Sequence, residues 1–355
     1  MIAELEIKTL ADGRSHLPSA DSISTYFPSI EPAKSMYPGI EQALRNLGGR
    51  HLLAAFGYGS SFNGESDSSL LDFIVVVDDI AAFHSENRQA RPHDYDPLIG
   101  RHSMRLQTAL NYKTPNFYPS TLIFEDGERE IKYGVIGQED FVRQMGDSLG
   151  GGAFLVTAGR MAKVIYPFVR DENEDTQVQI DQSFNRARID GAWLALGLLP
   201  SNFKFEEFAL TYINSSYLAD LRHEKPGKIQ IILNQNREDY QQMLGDVLKR
   251  FVDEGILEQS EDGSFEKKMT LEEAEVRDLL ENRGRKFAIR INFLKNMCLV
   301  YGIPRGIQYQ LDKEKRVRAA RAESGMTAKA PEDVDLDTLA ADISAILEGR
   351  KRKDS

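Results

Sequence analysis

Hydrophobic residues fall along this chain in two rhythms. Up to about residue 175 they come in short, nearly continuous runs bounded by glycine, proline and acidic residues. The run Leu70-Leu71-Asp72-Phe73-Ile74-Val75-Val76-Val77 is β-branched and almost wholly apolar, which predicts a central strand covered on both faces. A shorter apolar run over 51–59 ends in glycines. Asp78-Asp79 closes the central strand, and 80–89 reads as a helix. Residues 120–124 and 130–136 predict two further strands around the turn-forming Asp126-Gly127. From about 180 the rhythm is helical: Tyr240, Met243, Leu244, Val247, Leu248 and Phe251 recur at the spacing of one buried helix face. Residues 256–269 place Asp262-Gly263 between two strand-like runs, a hairpin signal. Helix resumes over 271–300, and 322–333 reads as a linker. Leu336, Leu339, Ala340, Ile343, Ile346 and Leu347 then share a face of a final amphipathic segment. Residues 1–40 form a lead-in broken at Pro28, Pro32 and Pro38. No internal repeat interrupts this order.

Composition narrows the class. The 355 residues carry 44 Lys+Arg against 55 Asp+Glu, a formal charge of -11, with 41% hydrophobic content, as expected of a globular chain. No stretch approaches the roughly 20 apolar residues of a membrane span. One cysteine, Cys298, excludes an intramolecular disulfide and a cysteine-rich zinc site, and points to a reducing compartment. The acidic N-terminus matches neither a signal peptide nor a transit peptide. Net acidity argues against coating nucleic acid, so no nucleic-acid partner is expected. The charge is nevertheless segregated. Residues 302–321 hold six basic residues (Arg305, Lys313, Lys315, Arg316, Arg318, Arg321) against Asp312 and Glu314, a local +4, leaving -15 for the remainder.

The sharpest chemical feature is Gly57-Tyr58-Gly59-Ser60-Ser61, followed twelve residues after Ser60 by Asp72 inside the apolar strand. A small Gly-Ser turn lets backbone N–H groups approach a triphosphate, and an acid on a neighbouring strand can hold the magnesium that neutralises it. This resembles the organisation of the nucleotidyltransferase superfamily. On the residues alone the turn also reads as an ordinary one, and Asp72 equally as half of an ion pair, because an unpartnered buried carboxylate costs several kcal/mol. Lys132, among apolar neighbours, suits either a phosphate contact or a structural pair. His84 and Asn87, one helical turn apart, suit capping or a core hydrogen bond. Trp193 reads as core.

Several separated motifs then resemble, in order, the peripheral phosphatidate cytidylyltransferases, the CDP-diacylglycerol synthases of mitochondria and some bacteria. They are Phe56-Gly57-Tyr58-Gly59-Ser60, Leu71-Asp72-Phe73-Ile74-Val75, Val77-Asp78-Asp79, Ile131-Lys132-Tyr133-Gly134-Val135-Ile136, Ala158-Gly159-Arg160-Met161-Ala162-Lys163, Leu198-Leu199-Pro200, and the run 216–222 with Glu224 and Lys228. The likeness spans about 50–310 and implies a bacterial homologue that makes CDP-diacylglycerol from CTP and phosphatidate with magnesium. It implies an α/β fold: a nucleotidyltransferase domain with a mixed sheet over 41–175, then a mostly helical, winged-helix-like domain over 176–300. A basic and amphipathic region, 301–355, ends the chain. Tyr58, Gly59, Ser60 and Ser61 are the implied nucleotide cradle, Asp72 and Asp220 the metal ligands, and Lys132 a catalytic cation. Arg160, Lys163, Arg222 and Lys228 are the implied phosphate clamp.

There are departures. Leu70 stands where the superfamily has its first strand acid, so Asp220 is assigned to complete the metal shell; its other reading is a salt bridge to Arg222. Ser61-Phe62 replaces Gly-Val, Val164 replaces a proline, and the family's His-Tyr pair falls on Asp94-Tyr95, with His93 displaced by one. Because phosphatidate stays in a bilayer, the basic tract suggests peripheral contact with an anionic surface, expected at the inner face of the cell membrane from the cytoplasm. The final amphipathic segment suits the interface or docking on its own domain. A nucleotidyltransferase with a soluble or RNA acceptor, and a non-catalytic winged-helix binding protein, stay open. Oligomeric state is not legible.

Overall fold

The structure is a computed structural model, and it describes residues 17–59, 62, 70–95, 116–146, 161–218, 228–269 and 276. A 3-10 turn at Ala20–Ser22 precedes helices α1 (Glu31–Met36) and α2 (Ile40–Gly48). Strands β1 (Leu52–Tyr58) and β2 (Leu71–Val77) lead to α3 (Ile80–Ala90), which Asp79 caps by accepting the N–H groups of Ala81 and Ala82. Next come β3 (Asn116–Phe124), β4 (Gly127–Gly137), α4 (Gln138–Gly146) and β5 (Tyr166–Val169). The second half holds α5 (Glu174–Leu198), β6 (Asn202–Phe203), α6 (Phe205–Leu218), α7 (Lys228–Gln235) and α8 (Arg237–Asp253). The hairpin strands β7 (Leu257–Gln259) and β8 (Phe265–Lys267) follow. Apart from Val276, the helix expected over 271–300 lies outside the described residues, as do the basic tract, the linker and the final amphipathic segment.

The first half is a mixed sheet in the order β3-β4-β2-β1-β5, with β2 and β4 parallel and the other pairs antiparallel. The apolar run after Leu70 lies at its centre, because helices cover both faces. On one face Phe56 stacks on Phe141 of α4 at 6.1 Å and meets Phe184 of α5 edge-on at 4.9 Å. On the other, Phe73 and Phe168 pack around Phe62, which meets Tyr37. The β3–β4 hairpin turns at Gly127, whose φ of 131° suits glycine. Its strands run longer than the pattern predicts, since exposed Glu128 carries backbone pairing without an apolar signal.

Strand β5 has no counterpart in the sequence reading. Its four residues include Pro167, which a strand tolerates at a sheet edge, and among the described residues β5 pairs only with β1. Gly57 on β1 is required by packing: a Cβ there would lie 2.6 Å from Phe168 and 2.8 Å from Phe62. Gly57→Ala is therefore expected to cost about 1–3 kcal/mol through overpacking, read as a lowered denaturation midpoint at unchanged slope.

In the second half α5 is buried along most of its length, between the sheet and the helices α6 and α8. The six periodic residues of α8 are all buried, as their spacing predicts. The hairpin around Gly263 forms, and β6 adds a third strand too short to be legible. Lys267 Nζ donates to the carbonyls of Leu196 and Leu199 at 2.9 and 2.6 Å, placing a cation on the C-terminus of α5. Lys267→Met is expected to lower stability by about 1–3 kcal/mol in chemical denaturation, because it strips partners from part-buried carbonyls.

The lead-in does more than precede the sheet. Asn185 Nδ2 donates to the carbonyls of Ala20 and Ile23, and the Tyr26 hydroxyl donates to Asp239 of α8 at 2.6 Å. Phe27 packs edge-on against Phe184 at 5.2 Å, with the guanidinium groups of Arg170 and Arg188 against its ring. Residues 20–27 thereby bind α5 and α8 to the sheet. Among the described residues no helix is long and apolar enough to cross a membrane.

Candidate active site

Strand register assembles the site. Antiparallel pairing sets Tyr58 of β1 opposite Asp72 of β2, and parallel pairing sets Asp72 beside Lys132 of β4. Side chains alternate along a strand, so Asp72 and Lys132 share one face, the face that Phe56 uses further along to meet α4 and α5. Lys132 Nζ lies 2.8 Å from Asp72 Oδ1, with side-chain exposures of 21% and 28%. The ammonium also lies 5.2 Å from the ring centre of Phe117. Immediately after β1, Gly59 takes φ +97°, and a Cβ there would lie 3.8 Å from Asp72 Oδ2. The chain thus turns tightly past the carboxylate in a conformation that favours glycine.

This arrangement joins a part-exposed carboxylate, an ammonium and a backbone turn at one end of the sheet. Magnesium is commonly held by one or two carboxylates together with substrate phosphates. Asp72 fits that role, its Oδ2 facing the glycine turn. Among the described residues no group of three or more His, Cys, Asp or Glu side chains forms a metal cage.

Of the residues singled out in the sequence, Tyr58, Gly59, Asp72 and Lys132 come together. Asp72 and Lys132 are each other's partner, a relation that only the register reveals. Lys163 lies on the segment entering β5, just after Ala162, whose carbonyl accepts the Tyr212 hydroxyl at 2.6 Å. Tyr166, three residues on, pairs with Gly57. Lys228 opens α7. Ser60, Ser61, Arg160, Asp220 and Arg222 lie outside the described residues.

Behind Lys132, on the opposite face of β4, is a buried polar network. His84 Nδ1 lies 3.0 Å from the Tyr95 hydroxyl, and Asn87 Nδ2 donates to the hydroxyl oxygens of Tyr95 and Tyr133 at 3.1 and 2.8 Å. The Tyr133 hydroxyl donates to Asp94 at 2.8 Å. The core hydrogen bonding offered for His84 and Asn87 is thus observed. The sequence assigned no role to Asp94 or Tyr133, although Asp94 stood out there as a departure beside Tyr95. His93 is exposed, whereas Asp94 is buried.

Burial pushes His84 down to about 3, and it pushes the Asp94 carboxyl up against the bond from Tyr133. An unfolded histidine titrates near 6.5, so below that pH the unfolded chain binds a proton that the native one refuses. Stability from this residue falls by about 1.4 kcal/mol per pH unit between roughly 6.5 and 3. Asp94 acts with the opposite sign. Denaturant unfolding at pH 7.5 and 5 is expected to show a smaller acid loss in His84→Asn than in the unmodified chain.

The chain resembles known proteins over much of its length. The model of a family described as "Phosphatidate cytidylyltransferase, mitochondrial" matches residues 41–348. A protein of that name from Homo sapiens is 27% identical over 237 residues, 62% of this chain and 50% of the relative. One from Danio rerio is 26% identical over 205 residues, covering 55% of this chain and 58% of the relative. One from Schizosaccharomyces pombe is 28% identical over 191 residues, 51% of this chain and 45% of the relative. The chain spans about half the length of the curated relatives it matches.

Proposed function

Because the chain belongs to the phosphatidate cytidylyltransferase family, we propose that it transfers the cytidylyl group of CTP to phosphatidate, giving CDP-diacylglycerol and pyrophosphate. The observation that carries this beyond membership is the meeting of Gly59, Asp72 and Lys132 at one end of the sheet. The mixed sheet, with a glycine turn after one strand and an acid on the next, suits a nucleotidyltransferase fold. The hairpin packed behind α8 suits a winged-helix-like second domain.

The chemistry asks for alignment and charge rather than a strong base, since a phosphate monoester is already anionic at neutral pH. A phosphatidate oxygen attacks the α-phosphorus in line. A new P–O bond forms, the bond from that phosphorus to the bridging oxygen breaks, and pyrophosphate leaves with the electron pair. In this reading Tyr58, Gly59, Ser60 and Ser61 cradle the nucleotide, Asp72 holds magnesium and Asp220 assists. Lys132, Arg160, Lys163, Arg222 and Lys228 draw the phosphates together. Magnesium, when bound, supplies charge neutralisation to the triphosphate and the leaving group.

Phosphatidate remains in a bilayer, so the reading includes a peripheral encounter with an anionic surface through residues 302–321. The relatives carry mitochondrial names, which lends no support to the inner face of the cell membrane. The test is magnesium-dependent transfer of label from [α-³²P]CTP onto phosphatidate in mixed micelles. Labelled CDP-diacylglycerol is expected. No lipid product, with pyrophosphate released on a soluble acceptor instead, overturns the assignment of phosphatidate.

A further inference from the structure

Asp72 and Lys132 are register partners on parallel strands, and the lysine already holds the carboxylate that the proposed reaction assigns to metal. Two cations drawn to one carboxylate repel each other. A divalent ion on Asp72 therefore weakens the lysine's hold on the carboxylate. Lys132 is suited to giving way. It is part-exposed, its ammonium is carried on a flexible four-carbon stem, and the Phe117 ring offers a second cation-stabilising surface 5.2 Å away. Gly59 lies against the other carboxylate oxygen, where the lack of a side chain lets the backbone come close.

We propose that Lys132 is a resident cation on Asp72 that passes to the phosphates of the arriving nucleotide, so that divalent metal and nucleoside triphosphate bind this site cooperatively. Among the described residues Asp72 is the ion-pair partner of Lys132, so without phosphate the displaced ammonium gives up that partner and metal alone competes poorly. With phosphate both cations find oxygen ligands. The coupling then resides in one movable charge. The inference rests on the reading of this site as a nucleotide site, and it adds an order of binding that the overall reaction does not dictate.

The experiment measures Mn²⁺ binding by electron paramagnetic resonance on the full chain, with and without α,β-methylene-CTP, which is not turned over. In the unmodified chain Mn²⁺ alone is expected to bind weakly and the analogue to strengthen it at least tenfold, within the usual range of coupling between ligands. In Lys132→Met, Mn²⁺ alone is expected to bind about tenfold more tightly, with the enhancement by the analogue reduced by a similar factor. Lys132→Arg, which keeps the charge, should bind metal alone as weakly as the unmodified chain, and Asp72→Asn should lose the site. Lys132→Gln serves if the methionine variant misfolds. Equal Mn²⁺ affinity in the unmodified and charge-free proteins overturns the resident-cation role while leaving the nucleotide site standing. Absence of Mn²⁺–analogue binding to the unmodified chain overturns both.

Discussion

Asp72→Asn is expected to reduce CTP-dependent labelling of phosphatidate by about 10²–10³-fold or more, with the fold intact. Asparagine keeps the shape and size of the side chain but removes the charge that would bind a divalent ion. Loss of a single preorganised electrostatic contact to a reacting centre typically costs about 3–4 kcal/mol of transition-state stabilisation. The stability effect should be small by comparison. Asp72 and Lys132 are both part-exposed, and pairs of that kind contribute about 0–1 kcal/mol. Thermal unfolding within a few degrees of the unmodified chain, together with lost transfer, is the expected pattern. Activity retained to within tenfold would remove Asp72 from the reaction.

The largest stability effect is expected at Phe184. Its ring lies 4.9 Å from Phe56 on the sheet, 5.2 Å from Phe27 of the lead-in and 5.6 Å from Phe141 of α4, so one side chain joins three elements to α5. It is fully buried. Phe184→Ala removes the ring and leaves a cavity between stiff aromatic neighbours that collapse poorly, a loss of about 3–5 kcal/mol. Equilibrium denaturation measures it directly. Val178→Ala, on an exposed stretch of the same helix, provides the contrast and should stay within about 0.5 kcal/mol. A loss below 1 kcal/mol at Phe184 would mean that α5 does not seat on the sheet as described.

Legibility in the sequence followed the range of the interaction concerned. Strand β2 and helix α8 announce themselves because their periodicity is local and unbroken. The β7–β8 hairpin does so because Asp262-Gly263 carries turn chemistry in two adjacent residues. Strand β5 does not: Tyr166-Pro167-Phe168-Val169 is held by pairing with β1, more than a hundred residues earlier, and its proline reads as a break. The candidate site shows the same divide. Gly59, Asp72 and Lys132 were each visible as residue types in context, and the first two through a known spacing. That Lys132 lies on Asp72 follows from parallel register, which no local pattern encodes. The network of His84, Asn87, Asp94, Tyr95 and Tyr133 was half legible for a related reason. Its two helical members share a turn, while Tyr133 lies in an apolar strand where a hydroxyl leaves no mark on the periodicity.

The attachment of residues 20–27 has a further consequence for how the chain reaches its native state. The hydrogen bonds that fix them reach from Ile23 to Asn185 and from Tyr26 to Asp239, across 162 and 213 positions. During synthesis these residues emerge early, yet their partners on α8 emerge only after more than two hundred further residues. Until Phe184 emerges the Phe56 side of the sheet lacks its ring, and apolar surface stays exposed through roughly the first half of translation. Closure at such sequence separation is also slow. A fusion or a rigid tag joined close to residue 20 should therefore lower the yield of folded protein more than the same tag joined elsewhere on the surface.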